Sequence, residues 1–469
     1  MKKLSFILFL SFLILTFFSC RDDYNYESAS KPLRFSKDTV MLDTVFSTVR
    51  SETYVLKVYN QQNDDVVIPR IYLEKGSSSQ FKINVDGNPG NSSNLNSFQN
   101  IPLRAKDSLY IFIEIAPQTV STSEALADED LLFITVGNTQ KVKLLSLVED
   151  AEFYFSKSGT KEITSDLVWN NSKSKVIYGN LKITNGAKLS VSEGTKIYLH
   201  KNANIIIDSG SQLNIDGSLN HEVLIRGDRH ETKYDSLPGN WNQIYLANNS
   251  SGKINHLLIK GGNNAFYLEE NAHLTIANSK IYNFLYGGIH SVGGNVEGKN
   301  LAINNCGTSD LIVEYGGNYD FIHCTLANYW YLNAGAGYSV YLSNSYQKSG
   351  EIKYNKLKAS FKNCIFWVRN YNSLYLDKNV HAPFIYTFDT NLIKNTSNGI
   401  NIETDDNFIN TILNEDPLLY KTGYSDCLLS LNLGSPAYGK GNVNYAKAIP
   451  EDINGISRTS DPALGAYQE

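Results

Sequence analysis

The sequence predicts an all-β chain in two parts, an N-terminal β-sandwich followed by a parallel solenoid. Three observations carry that expectation. Tyr 30 and Phe 21 are abundant while Met 2 and Pro 11 are scarce, and aromatic and β-branched residues suit pleated surfaces. Asn is the outlier at 52 of 469 residues, which fits tight turns because Asn tolerates the left-handed backbone. In the C-terminal two thirds, short apolar motifs return at offsets of roughly 20–30 residues, the spacing of stacked repeats.

Charge and composition exclude some classes. Lys+Arg 42 against Asp+Glu 47 leaves a formal charge of −5 with no basic block, so the electrostatic footprint of a nucleic-acid partner is missing. With 19% charged and 42% hydrophobic residues the chain is built to pack rather than to stay disordered.

Met1-Lys2-Lys3 is a short positive start, and Leu4–Phe18 is apolar apart from Ser5, Ser11 and Thr16. That run is too short for an ordinary spanning helix and suits a signal-peptide core. Ser19-Cys20 closes it. The segment resembles a bacterial lipobox, with Phe17 standing where that motif usually has Leu. The resemblance implies that residues 1–19 are removed and that Cys20 carries the lipid attachment. It also implies outer-membrane lipid as a partner, and a location at the outer membrane or cell surface. Arg21-Asp22-Asp23 is similar to the export signal of some surface lipoproteins. Secretion with an incidental Cys20 is the plainer alternative. Residues 20–32 read as a polar tether.

The other cysteines are Cys306, Cys324, Cys364 and Cys427, without a Cys-x-x-Cys pair or a Cys/His cluster. Neither a disulfide scaffold nor a zinc site is expected, and no metal ligands are assigned.

Residues 33–150 read as an immunoglobulin-like sandwich. Strands are expected at Thr53–Tyr59, Val66–Leu73, Phe81–Val85, Ser108–Ala116, Leu131–Val136 and Val142–Val148, separated by turn residues. Nothing in this stretch sets paired carboxylates beside a His or a nucleophile.

Residues 151–469 carry the repeats. Asn185-Gly-Ala-Lys-Leu-Ser-Val191 returns as Ser209-Gly-Ser-Gln-Leu-Asn-Ile215, and Leu274-Thr-Ile276 as Leu301-Ala-Ile303. A second pattern aligns Ile276-Ala-Asn-Ser279, Ile303-Asn-Asn-Cys306, Phe321-Ile-His-Cys324 and Phe361-Lys-Asn-Cys364, the last step suiting two rungs plus a loop. Stacked at about 4.8 Å, Asn278, Asn305, His323 and Asn363 form a structural polar ladder, with Ser279, Cys306, Cys324 and Cys364 as small fillers beside it. That pattern is the mark of a parallel β-helix. Repetition of this kind serves inter-rung bonding and packing rather than catalysis.

Gly186-Ala-Lys-Leu-Ser-Val-Ser-Glu-Gly-Thr-Lys-Ile-Tyr198 and Pro238-Gly-Asn-Trp-Asn-Gln-Ile244 resemble the opening rungs of right-handed β-helix lipoproteins of Gram-negative bacteria. Asp416-Pro-Leu-Leu419, Leu433-Gly-Ser-Pro-Ala437, Asp452-Ile-Asn-Gly455, Arg458 and Leu464-Gly-Ala-Tyr467 are similar to the last rungs of pectate-lyase-like and adhesin-like β-helices. The resemblance implies a right-handed coil over about residues 150–469. It does not imply one activity, since the coil carries lyases, hydrolases and adhesins alike.

Enzyme constellations are incomplete. A hydrolase of this shape needs convergent carboxylates, yet Asp405-Asp406 stands alone and Gly288-Ile-His290 has no partners nearby in sequence. A calcium-dependent lyase needs acidic ligands and a base. The densest mixed cluster, Arg226-Gly-Asp-Arg-His-Glu231 with Lys233 and Asp235, reads as a solvated loop; Asp228 and Asp235 bind Ca2+ only under that alternative. No catalytic residue or cofactor is assigned. Aromatics crowd between Tyr315 and Tyr386, and Trp330, Tyr331 and Trp367 are the candidate glycan-binding rings. Buried stacking between rungs is the plainer reading of them. The expected function is binding or adhesion to a polysaccharide or an envelope protein. The alternatives are an enzyme acting on an acidic polysaccharide and a scaffold for an outer-membrane complex.

Overall fold

The computed structural model describes residues 26–90, 96–120, 122–332, 337–369, 372–396, 400–425 and 427–468. Residues 1–19, expected as a signal peptide, and Cys20 lie outside the described residues. The chain divides into two compact units, Met1–Val120 with Glu124–Val148, and Ser121–Ser123 with Glu149–Glu469.

The first unit is a sandwich. One sheet runs in the order Arg34–Phe35, Tyr54–Tyr59, Ser108–Ile115, Phe81–Val85, Asn88–Pro89. The other is built on Val66–Leu73, Glu124–Thr135 and Asn138–Glu149, with Ser97–Leu103 along one flank. Alternation decides the inner faces: Leu56, Val58, Ile83, Ile111 and Ile113 of the first sheet meet Ile68, Ile71, Phe133 and Leu144 of the second in one buried cluster. Ser97–Leu103, with Pro102 inside it, was not expected as a strand. It is held by antiparallel pairing to Val66–Leu73.

The second unit is a parallel β-helix with three strands per turn. The first face includes Lys188–Ser192, Gln212–Asp216 and Ser251–Asn255; the second includes Lys196–Leu199, Val223–Gly227 and Leu257–Lys260. The third is a separate nine-stranded sheet from Thr160–Ile163 to Leu374–Asp377. Leu189 pairs with Leu213 and Val191 with Ile215, the register the sequence repeat indicates. Inside, like residues stack: Phe321 on Phe361 at 5.4 Å, Phe361 on Phe388 at 4.6 Å and Phe388 on Phe408 at 4.9 Å.

The corner between the first and second faces takes one residue per rung at positive φ: His256 (46°), Asn278 (49°), Asn300 (51°), His323 (53°), Asn363 (52°), Thr390 (58°) and Asn410 (49°). Asn accommodates that backbone and its amide bonds up the stack. Asn278 Nδ2 donates to Asn255 Oδ1 at 2.9 Å, and Asn300 Nδ2 to Asn278 Oδ1 at 2.9 Å. Asn363 Nδ2 lies 3.0 Å from His323 Nε2.

Asn305 does not belong to this ladder. Ala277 pairs with Lys299 and Ser279 with Leu301, so the residue beside Asn278 is Asn300. Asn305 stacks at the next corner, donating to Asn283 Oδ1 at 3.2 Å, and Cys306 pairs with Phe284. The filler column is therefore Ser279, Leu301, Cys324 and Cys364, with the Cys324 N–H donating to Cys364 Sγ at 3.4 Å. Likewise Leu274 pairs with Val296, not with Leu301. The misalignment has a physical cause. Gly298 takes the place of the expected aliphatic residue because the Phe321 ring fills that space; a Cβ on Gly298 would stand 2.4 Å from Phe321 Cδ1. The step from His323 to Asn363 is one rung, since Phe321 pairs directly with Phe361. Part of the extra length forms the antiparallel hairpin of Ser345–Lys348 and Glu351–Tyr354.

The C-terminal motifs are not rungs. Pairing along the coil ends at Ile412–Leu413, and the chain then runs back along the second face as a strap. Its Leu429, Leu431, Ile453, Leu464 and Tyr467 bury Tyr282, Ala302, Ala327, Ile365 and Trp367. Small side chains on that face let the strap lie close. The strap also satisfies ladder amides: Asn283 Nδ2 donates to Tyr424 O at 2.7 Å and Asn300 Nδ2 to Glu451 O at 2.9 Å.

Candidate functional site

The two tryptophans among the candidate glycan-binding rings are covered by this strap, in keeping with the plainer reading of them as buried. Trp330 is 5% and Trp367 8% exposed, Trp330 lying 6.0 Å from Tyr424 between ring centroids. Tyr331 is 58% exposed but stands edge-on to Tyr424 at 4.6 Å. The three do not form a flat platform, because the outer surface of the second face is itself a core.

The Arg226–Glu231 loop neutralises itself. Arg226 Nη1 lies 2.6 Å and Lys260 Nζ 3.0 Å from Asp235 Oδ1, and Arg229 pairs with Glu231. Asp228 lies 2.7 Å from His200 Nδ1. His230 packs on Tyr198 at 4.9 Å, and burial first, then the Arg226 charge, bring it down to about 4. Among the described residues no group of three or more His, Cys, Asp and Glu is placed to hold a metal ion.

The third face carries a feature that the sequence reading did not resolve. Register pairing lines up Ile206, Tyr245, Tyr267, His290, Ile312, Tyr341 and Tyr375 in one outward column. Tyr245 and Tyr267 stack at 5.6 Å with planes 7° apart, and Tyr341 and Tyr375 at 5.5 Å with planes 3° apart. His290 meets Tyr267 edge-on at 4.8 Å. Two residues further along the strands runs a second column containing Glu269, Glu314 and Asp377, with Asp208 beyond it. Glu314 Oε2 lies 2.9 Å from His290 Nε2, and Ser343 Oγ donates to Asp377 Oδ2 at 2.9 Å.

The aromatic column has one gap. Rungs stand about 4.8 Å apart, so His290 and Tyr341 are separated by about 9.6 Å, and the rung between them holds Ile312 rather than a ring. One face of Tyr341 is against Tyr375; the other is turned to the gap. A cavity of about 320 Å³ runs along this stretch from Gln243 to Tyr341, over five strands, with Tyr267, His290 and Tyr341 as walls and Ile312, only 5% exposed, beneath them. Gln243, Asn264, Thr308 and Glu314 supply its polar lining, and Tyr286 its rim. Tyr341 and Tyr267 are each pushed up to about 12, chiefly by burial and then by neighbours that include Glu314. Both phenols therefore remain donors at neutral pH. A second cavity, about 220 Å³, also touches Tyr267 and is walled by Glu269, Glu270 and the hairpin's Tyr346, Lys348 and Lys353.

The first face bears a larger groove of about 600 Å³, in which Glu297 and Asp320 sit on adjacent rungs. Lys362 Nζ is 2.7 Å from Asp320 Oδ1.

No family model matches the chain, and no curated protein matches it. Among solved structures it is similar to pectate lyase Pel9A, at 12% identity over 68% of this chain and 88% of that one, with a TM-score of 0.24. It is also similar to a family 123 glycoside hydrolase from Clostridium perfringens, at 8% identity over 30% of each chain and a TM-score of 0.20. The PapD-like domain of human CEP192 matches at 12% identity over 28% of this chain and 99% of that one, TM-score 0.18. At these scores the architecture rests on the strand pairing itself. The pairing defines an all-β protein with a sandwich unit and a parallel β-helix unit.

Proposed function

We propose that the chain is a lipid-anchored envelope protein that binds a glycan on the third face of its β-helix without turning it over. The observation that carries this reading is the outward column of Tyr245, Tyr267, His290, Tyr341 and Tyr375 beside Glu269, Glu314 and Asp377. Apolar ring surface and carboxylate acceptors, side by side, suit the CH faces and hydroxyls of sugars. The anchor rests on Ser19-Cys20 behind the apolar leader; an outer-membrane or surface location follows from it. Hydrolysis needs two carboxylates flanking the scissile bond. Among the described residues lining the third-face cavity, Glu314 is the sole carboxylate and is engaged by His290.

The test is a glycan array with the purified full chain, beside an assay for unsaturated products on pectin and alginate. Array binding without absorbance growth is expected. Calcium-dependent growth of absorbance would reject the non-catalytic part. A second reading, an enzyme acting on an acidic polysaccharide, is favoured only by Glu297 and Asp320 in the groove with Lys358 and Lys362, and the same assay decides it.

A further inference from the structure

We propose that the gap over Ile312 is a subsite for one uncharged pyranose ring, held between Tyr341 and the Tyr267–His290 wall. This deepens the glycan-binding reading and rests on it.

The geometry points to a ring-shaped ligand. A column of rings with one member replaced by Ile leaves the inner face of Tyr341 without an aromatic neighbour. Closing that face against an inserted ring recovers the packing the column otherwise supplies to itself. Thickness selects the kind of ring. A flat aromatic ligand touching both walls at 3.5–4.0 Å per side fills about 7–8 Å, less than the about 9.6 Å between the flanking rungs. A puckered, hydroxyl-bearing chair is thicker and fills the gap better. A cavity of about 320 Å³ is at the small end of ligand sites, and the part of it between His290 and Tyr341 spans the single rung of Ile312.

Charge selects against acidic sugars. Glu314 lines the gap, Glu269 and Asp377 stand in its column, and no Lys or Arg lines the cavity among the described residues. A uronate, sulfate or phosphate on the inserted ring would meet like charge at short range and lose its hydration. Neutral hydroxyls instead find Glu314 as an acceptor and the Thr308 hydroxyl as a partner of either kind.

The test uses the full chain, with cellohexaose, mannohexaose and chitohexaose as neutral probes and an oligogalacturonate as the acidic one, titrated by calorimetry. Ile312→Tyr completes the column. It is expected to weaken binding of the neutral probe by about tenfold or more while leaving the melting temperature unchanged or raised. Tyr341→Ala, which removes the wall from the other side, is expected to weaken it comparably. Tyr420→Ala on the strap should leave it unchanged. A folded Ile312→Tyr chain that binds the neutral probe as tightly as wild type overturns the subsite while sparing glycan binding. Binding confined to the oligogalacturonate does the same. No binding to any probe, with an empty glycan array, overturns both.

Discussion

Arg458 reaches from the C-terminal strap to the corner ladder, its Nη1 donating to Asn300 Oδ1 at 2.8 Å. The same guanidinium donates to Glu451 O at 2.7 Å and Gly465 O at 2.9 Å, and Arg458 is fully buried. Burial draws it down to about 10, with Asp452 acting in the opposite sense, so it is charged at neutral pH. One side chain thus ties the strap to the ladder it covers.

Arg458→Met keeps much of the volume and removes all three bonds. Hydrogen bonds to a charged group are worth about 1.5–3 kcal/mol each, and buried acceptors left bare add a desolvation cost. Loss of at least about 3 kcal/mol is expected in the β-helix transition. Limited proteolysis should release the strap from the variant before the coil unfolds. A melt equal to wild type would show that the strap is held by its apolar contacts alone.

The ladder makes a graded prediction. Asn363→Leu strands the Asn442 N–H that donates to Asn363 Oδ1 at 2.8 Å and places a γ-branched side chain at φ 52°. A cost of about 1–3 kcal/mol from the unpaired group is expected, with backbone strain added. Asn363→Gly relieves the strain but not the lost bond, so its melt should fall between the two.

His323 sets a pH dependence. Burial, and then the Arg458 charge, lower it to about 3 from an ordinary value of 6.5. The unfolded chain therefore takes up this proton first as pH falls. The stability tied to the neutral imidazole is full above about 6.5 and is lost progressively as pH falls toward 3. His323→Asn keeps the ladder and removes the titration. Its stability should fall less steeply than wild type across that window in denaturant melts at stepped pH; parallel curves would contradict the assignment.

Asp310 titrates in the opposite sense. Its carboxyl is fully buried beside Cys306, and burial raises it well above 3.8. The folded state holds this proton when the unfolded state has lost it, so stability declines as pH rises above about 4. In Asp310→Asn that decline is removed. The difference between variant and wild type should grow with pH by up to about 1.4 kcal/mol per unit.

Much of the coil was legible because its repeats are local. Leu189 and Leu213 sit at the same place in successive rungs of similar length, so a shared motif marks a shared position. Legibility failed where a rung substituted one packing solution for another. At Gly298 the apolar mark comes from Phe321 of the next rung, while Asn304-Asn305-Cys306 imitates it one corner later. The aromatic column was hidden for a different reason. Tyr245, Tyr267 and His290 recur at near-regular spacing, but the hairpin after Ser343 and long corners displace Tyr341 and Tyr375 from that period. For Trp330 and Trp367 both readings stayed open because exposure depends on a strap more than 50 residues away, which no local pattern reports.

The most direct test of glycan binding on the third face is hydroxyl-radical footprinting of the full chain with and without the glycan selected on the array. Protection is expected at Tyr267, Tyr341 and Tyr375, the last being 44% exposed when free, with Tyr331 and Tyr420 unchanged. Protection confined to Tyr331, or to the Glu297–Asp320 groove of the first face, with the third-face tyrosines labelled as before, would contradict the account.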